Sequence, residues 1–363
     1  MKKFLFVILL LFLAKNINAQ RDVSGAPQQA SNVLNPNISV VTNILGSFGN
    51  DKTLDQTAFN LSEVELGLQS VIDPYARADV FIAFGAEGVE LEEGYLTWLA
   101  MPFGFQSRIG KFRGNWNSFN LIHPPETPFA DRPLAIVNFL GEEGVVGTGA
   151  TLSWLVPSDI LYLKWTAEVT NLPEESPSFE SIDTTTFEPV KSERKQDLNY
   201  LSRLASYFDL SESANISLGA SYLGGVNEPT GQLWTHLGGF DLTFRWKNPR
   251  RALYSSFLWR NEVIMSKREV ASDSSITSWG GFSHINWQFF RRWHIGGRFD
   301  YSQFTDDKDN EEKGGVAYLS FTPSEFSLVS IQGRYIKRAD KTEDWAGFVK
   351  LTFSIGPHGA HQF

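Results

Sequence analysis

The sequence predicts an all-β chain closed into a sixteen-stranded antiparallel barrel that crosses a membrane, with a long third outer loop folded into the lumen. Three observations carry this. Apolar and polar residues alternate with period two over segments of about ten residues or more. Short turns alternate with longer or more polar connections, and the strand count is even, which is the pattern of bacterial outer-membrane barrels. Beyond the first residues, no stretch approaches the run of about 18 apolar residues that a helical span requires, so strands must do the crossing.

Residues 1–19 read as a secretory signal peptide. Lys2 and Lys3 form its charged end, Phe4 to Ala14 its apolar run, and Ile17-Asn18-Ala19 its cleavage site. The eleven-residue apolar run is too short to span a bilayer. Losing Lys2, Lys3 and Lys15 takes the formal charge from −9 to −12, which argues against a nucleic-acid partner. The chain has no Cys, which rules out disulfides and thiolate metal sites and suits an exported protein. Gln20 to Pro36 is polar and reads as a periplasmic lead-in, and residues 37–363 as the barrel.

The first strand runs over Asn37 to Phe48. The second covers Phe59 to Val71, with Val64, Leu66 and Leu68 opposite Glu63, Glu65 and Gln69. Asp73-Pro74 turns the chain. Ala76, Ala78, Val80, Ile82 and Phe84 then alternate with Arg77, Asp79, Phe81 and Ala83. Val89 to Met101 and Phe103 to Arg113 meet at Pro102. After the third loop, Val146, Thr148, Ala150, Leu152 and Trp154 share a face. Leu161, Leu163, Trp165, Ala167 and Val169 oppose Lys164, Thr166 and Glu168. Asn171 to Gln196 reads as a second long, exposed loop. Further pairs turn near Asp209 to Ser213, at Asn248-Pro249, at Phe290 to Arg292 and at Pro323-Ser324, and Trp345 to Ile355 closes the series. Strands this long exceed those of ordinary sandwiches, and sixteen of them leave an aqueous channel.

The third loop, between Gly114 and Gly144, holds Pro124, Pro125, Pro128 and Pro133, so it is neither a plain strand nor a plain helix. Trp116, Phe119, Phe129 and Phe139 give it the composition of a packed segment. Its charges Glu126, Asp131, Arg132, Glu142 and Glu143 are the candidate pore constriction, an acidic loop facing the wall.

Strand parity turns eight basic residues inward: Arg77, Lys164, Arg203, Arg245, Arg260, Arg298, Arg334 and Lys350. It turns nine acids inward as well: Glu63, Glu65, Asp79, Glu90, Glu92, Glu168, Asp241, Glu262 and Asp300. The lumen wall is therefore of mixed sign. Same-face neighbours on one strand are Arg77 with Asp79, Lys164 with Glu168, Asp241 with Arg245, Arg260 with Glu262, and Arg298 with Asp300. The alternation fails at Glu93, which shares parity with Leu91, and on the fifth strand, where Arg108 opposes Lys111 and Arg113. A bulge or a loop contact would account for either.

Several motifs carry a resemblance. Glu92-Glu93-Gly94-Tyr95, Pro102-Phe103-Gly104-Phe105 and Arg108-Ile109-Gly110-Lys111-Phe112-Arg113 resemble the early hairpin of the phosphate-selective porin family. His123-Pro124, Pro128-Phe129, Asp131-Arg132-Pro133-Leu134, Phe139 to Gly144 and the closing residues 356–363 are similar to a subgroup of porin-like outer-membrane proteins, some labelled zinc-regulated or TonB-dependent receptors. The resemblance implies a sixteen-stranded barrel in the outer membrane of a Gram-negative bacterium, trimeric, in contact with outer-membrane lipid, and passing small hydrophilic solutes or ions passively. It implies no cofactor. The phosphate-selective members present a ladder of basic residues, whereas here the lumen is balanced.

His123 is the candidate metal ligand, with Glu126 and Asp131 as conceivable partners, although their spacing defines no known cage. His358-x-x-His361 is a second short pair. Phe363 suits the terminal aromatic of such barrels. His284 lies beside Ser283 and Asn286, but strand neighbours point to opposite faces, and no nucleophile motif is present. The sequence therefore predicts a channel rather than an enzyme, with a substrate-specific or zinc-linked uptake protein as the alternative.

Overall fold

The computed structural model describes residues 36–51, 59–86, 88–158, 162–173, 175–182, 188–248 and 254–356. The expected leader, most of the expected lead-in, His358, His361 and Phe363 lie outside the described residues.

Sixteen strands close into one antiparallel barrel. They are β1 (Asn37–Gly49), β2 (Phe59–Asp73), β3 (Ala76–Gly85), β4 (Gly88–Trp98), β5 (Phe105–Arg113), β6 (Val146–Leu155), β7 (Tyr162–Asn171) and β8 (Leu198–Ser211). The second half comprises β9 (Ala214–Val226), β10 (Trp234–Lys247), β11 (Ser256–Ala271), β12 (Ser274–Phe290), β13 (Trp293–Gln303), β14 (Glu311–Ser324), β15 (Ser327–Lys337) and β16 (Glu343–Ile355). Pairing of Val40 through Gly49 with Ile355 through Ala346 seals the first strand to the last, so the sheet has no free edge.

Alternation decides which way each side chain points. Phe240, Trp259, Val263, Ile285, Phe299 and Ile331 stand exposed on the outer surface. On the same strands Asp241, Arg260, Glu262, His284, Arg298 and Gln332 are buried inside. A charged group on the outer belt would cost about 2–4 kcal/mol at mid-membrane, and the fold avoids this by parity alone.

The connections at one end are short, as the sequence predicts. At the other end, length is concentrated in the third and fourth loops. The connections after β3 and β11 are as tight as those at the short end, spanning only residues 86–87 and 272–273.

One bend in the pattern matters. Phe81 pairs with Glu93, yet Ile82 pairs with Leu91, so β4 carries one extra residue, Glu92. The bulge lets Glu92 and Glu93 both turn inward and both become buried. Below it the inward face continues at Tyr95, opposite Asp79, where the Arg108 guanidinium lies over the ring.

The segment between β5 and β6 contains two single 3₁₀ turns, Phe119–Leu121 and Pro124–Glu126, and one short helix, α1 (Leu134–Leu140). Pro133 sits immediately before α1, where its fixed φ suits a helix start. Gly141 ends α1 at φ 87°, and a Cβ there would lie 2.1 Å from the Glu175 carbonyl oxygen. Only glycine fits both demands.

Candidate functional site: the inner loop and its wall

The inner loop is held by an apolar patch that strand parity does not announce. Trp116, Ala135, Phe139 and Leu140 pack with Leu201, Leu223, Leu237 and Ile264 of the inward wall. Phe119, Phe129 and Ile136 pack with Phe282, Val316 and Tyr318. These aromatic and aliphatic side chains are almost fully buried, and each of those larger than Ala135 contributes about 1.5–3 kcal/mol by leaving water.

The fourth loop adds to this packing. Sequence reading takes Asn171 to Gln196 as exposed, but Leu172 and Phe179 join the cluster around α1. The Ser178 amide donates to the Phe139 carbonyl at 3.3 Å, and Arg268 donates to the carbonyls of Pro177 and Ser178. A two-residue ribbon, Ser181–Ile182 against Pro189–Val190, lies within the same connection.

Wall carboxylates take up the loop's backbone donors. Glu262 Oε1 accepts from the amides of Ser118 at 3.1 Å and Phe119 at 2.7 Å, and from Ser118 Oγ at 2.8 Å. Glu168 accepts from the Asn115 amide at 3.1 Å. Gln332 donates to the Pro128 carbonyl and accepts from the Ala130 amide, both at 2.9 Å. Lys350, fully buried, donates to the carbonyls of Thr127 and Phe129. An irregular segment inside a barrel needs such partners for its backbone groups.

The ion pairs only partly follow the same-face neighbours. Arg77 meets Asp79 at 2.6 Å and Arg298 meets Asp300 at 2.8 Å. Asp241 pairs across the sheet with Arg203 at 2.6 Å rather than with Arg245. Glu168 and Glu262 bond the loop, as described, rather than Lys164 and Arg260. Near the long-loop end, Arg334 and Arg338 share Asp51, and Arg338 also meets Asp344 at 2.7 Å.

The five candidate constriction residues do not converge on one ring. Asp131 bonds Arg298 at 3.0 Å and Arg334 at 2.8 Å. Burial alone would raise its pKa, but the two guanidinium groups hold it below the usual carboxylate range. Arg132 is half-buried, and desolvation reinforced by nearby Arg113 brings its pKa down to about 10. Glu143 meets Arg113 at 3.0 Å and, with Glu142, lines a cavity of about 1020 Å³ on the long-loop side. Glu126 lines a separate cavity of about 450 Å³ on the short-turn side, together with Arg245, Arg260, His284 and Tyr318.

His123 is the other departure. Its expected partners were Glu126 and Asp131, but Asp131 is committed to arginines on β13 and β15. The imidazole instead faces the barrel wall at β2 and β4. Its Nδ1 lies 2.9 Å from both Glu65 Oε2 and Glu92 Oε2, and its Nε2 lies 2.7 Å from Glu93 Oε1. Burial opposes its positive charge, but the carboxylates of Glu65, Glu92 and Glu93 around it raise its pKa well above the ordinary value. The bulge at Glu92 and the failed parity at Glu93 were the signal in the sequence for this cluster.

No family model matches the chain. It is 30% identical over 343 residues to an uncharacterised protein of Aquifex aeolicus (strain VF5), the match covering 85% of this chain and 71% of that one. The chain belongs to the family of that protein. For the fold, this family member is similar to solved outer-membrane structures. OprB of Pseudomonas putida matches with TM-score 0.60 and 10% identity, over 88% of this chain and 94% of that one. The channel DcaP of Acinetobacter baumannii matches with TM-score 0.59 and 10% identity, over 88% and 97%. An anion-selective porin from Comamonas acidovorans matches with TM-score 0.60 and 11% identity, over 88% and 99%. With its apolar outer surface and closed sheet, the family member is a porin-like sixteen-stranded barrel of the outer membrane.

Proposed function

We propose that the chain is a passive channel for small hydrophilic solutes or ions, narrowed where residues 114–144 cross the lumen. One observation supports this reading above the others. The loop is tied to opposite parts of the wall, through His123 to β2 and β4 and through the Ser118 and Phe119 amides to Glu262 on β11. Solvent-sized cavities lie on both sides of it. A segment anchored in this way sets the bore by its own bulk.

Wall charges of both signs, including Arg77, Asp79, Lys164, Glu168, Arg203, Asp241, Arg245, Arg298, Asp300 and Arg334, favour water-filled passage over a one-sign filter. Reconstituted in planar bilayers, the protein is expected to give discrete, salt-dependent conductance steps. Deleting residues 124–132 should enlarge them. A protein that never conducts defeats the proposal, and an unchanged step size removes the loop from the path.

The finer parts of this reading have their own tests. Phosphate as a favoured solute predicts a distinct reversal potential in phosphate against chloride. A trimer predicts three chains per particle by light scattering in detergent. Cleavage of a leader predicts a mature N-terminus at Gln20. The alternative of metal-linked uptake draws on the His123 cluster.

A further inference from the structure

We infer that His123, Glu65 and Glu92 form a binding site for one divalent transition-metal ion, with Glu93 orienting the imidazole from behind. One ligand atom from each of His123, Glu65 and Glu92 lies within 4.8 Å of the other two. Nδ1 has two carboxylate oxygens at 2.9 Å, yet a single N–H there can serve only one of them. Glu92 takes the hydrogen bond. Glu65 Oε2, on a side chain that is only 4% exposed, is left without one and points into the cluster. A buried carboxylate oxygen in that position calls for a cation.

The donor set selects the ion. One imidazole nitrogen with two carboxylates suits zinc and its neighbours in the first transition row, whereas magnesium and calcium prefer all-oxygen shells with water. Donors about 2.0–2.2 Å from a tetrahedral zinc stand roughly 3.3 Å apart, so the 2.9 Å spacing needs to open by only a few tenths of an ångström. Water or the neighbouring Glu63, whose Oε1 is also buried without a hydrogen bond, can complete the shell.

The surroundings match an outer shell. With a metal on Nδ1, the Nε2–H donates to Glu93 Oε1 at 2.7 Å, the carboxylate–histidine arrangement that fixes ring orientation. Glu93 is itself held by the Arg113 amide at 2.8 Å. The Phe81 ring packs 5.2 Å from the imidazole. The ligands come from three places, His123 in the inner loop, Glu65 on β2 and the bulge residue Glu92 on β4. A bound ion would therefore clip the inner loop to the wall.

The test is calorimetric titration of the EDTA-stripped full-length protein in detergent with zinc, with magnesium as the comparison. Zinc is expected to bind at one ion per chain and magnesium not to compete. His123→Ala and Glu65→Gln should each weaken binding by about 100-fold, and Glu93→Gln by about 10- to 100-fold. Each variant is first checked for a folded barrel by its heat-modifiable gel mobility. A double variant, His358→Ala with His361→Ala, should bind like the parent. No zinc binding by the parent, wild-type affinity in the folded Glu65→Gln and His123→Ala variants, or loss of binding in the tail variant would each overturn the site. The channel proposal stands apart, since conductance needs no metal.

Discussion

The ammonium of Lys350 on β16 donates to the Thr127 carbonyl of the inner loop at 2.7 Å. The same group donates to Phe129 O at 3.0 Å and lies 3.5 Å from Pro124 O. One buried cation thus serves the carbonyls of a proline-rich turn that has no strand partner. Lys350→Met should leave those carbonyls unsatisfied and cost about 2–3 kcal/mol of loop docking. Hydrogen exchange of the loop amides checks this, and exchange should speed up there while the barrel strands stay protected.

Asp131 gives a second prediction, set by acid. Its pKa is depressed by Arg298 and Arg334, so its stabilising effect is fully present above the unfolded value of about 3.9 and is lost as pH falls through the lower folded value. The loop is therefore expected to stay docked while free carboxylates protonate and to release only at still lower pH. In Asp131→Asn this acid transition should vanish. The variant should already be weakened at neutral pH by about 3–5 kcal/mol, because two buried guanidinium groups lose their shared partner. Loop-directed limited proteolysis across a pH series reads both effects.

Phe139 tests the apolar patch. It is fully buried between α1 and the inward wall. Phe139→Ala should cost about 3–5 kcal/mol. Its effect should appear as larger or noisier conductance, since the lost contacts hold the loop rather than the strands.

Val263 tests the outer face. It stands exposed on β11 between the inward positions Glu262 and Ile264. Val263→Arg should destabilise the barrel in lipid vesicles by about 2–4 kcal/mol. No loss in reversible unfolding from vesicles would mean that this face does not meet hydrocarbon.

The barrel was legible in the sequence because its signal is local. Val80 beside Asp79, or Phe299 beside Arg298, declares two opposite environments one residue apart. The inner loop was legible in composition and position but not in its contacts. Its partners Leu201, Leu223, Leu237 and Ile264 sit on the inward parity among Arg203 and Glu262, where apolar residues look like noise until an apolar loop is set against them. Asp131 and His123 found their partners far along the chain, where spacing carries no information. The bulge at Glu92 showed only as a broken rule, since one added residue reverses the parity that the reading relies on.

That added residue reaches beyond this molecule. A deletion at Glu92 would restore strict alternation in β4 without touching any turn, and would remove the carboxylate that bonds His123 Nδ1. Among relatives, loss of that one residue is therefore expected to mark barrels in which His123 lacks this partner. Aligned β4 sequences that differ in length by one at this point would separate the two types.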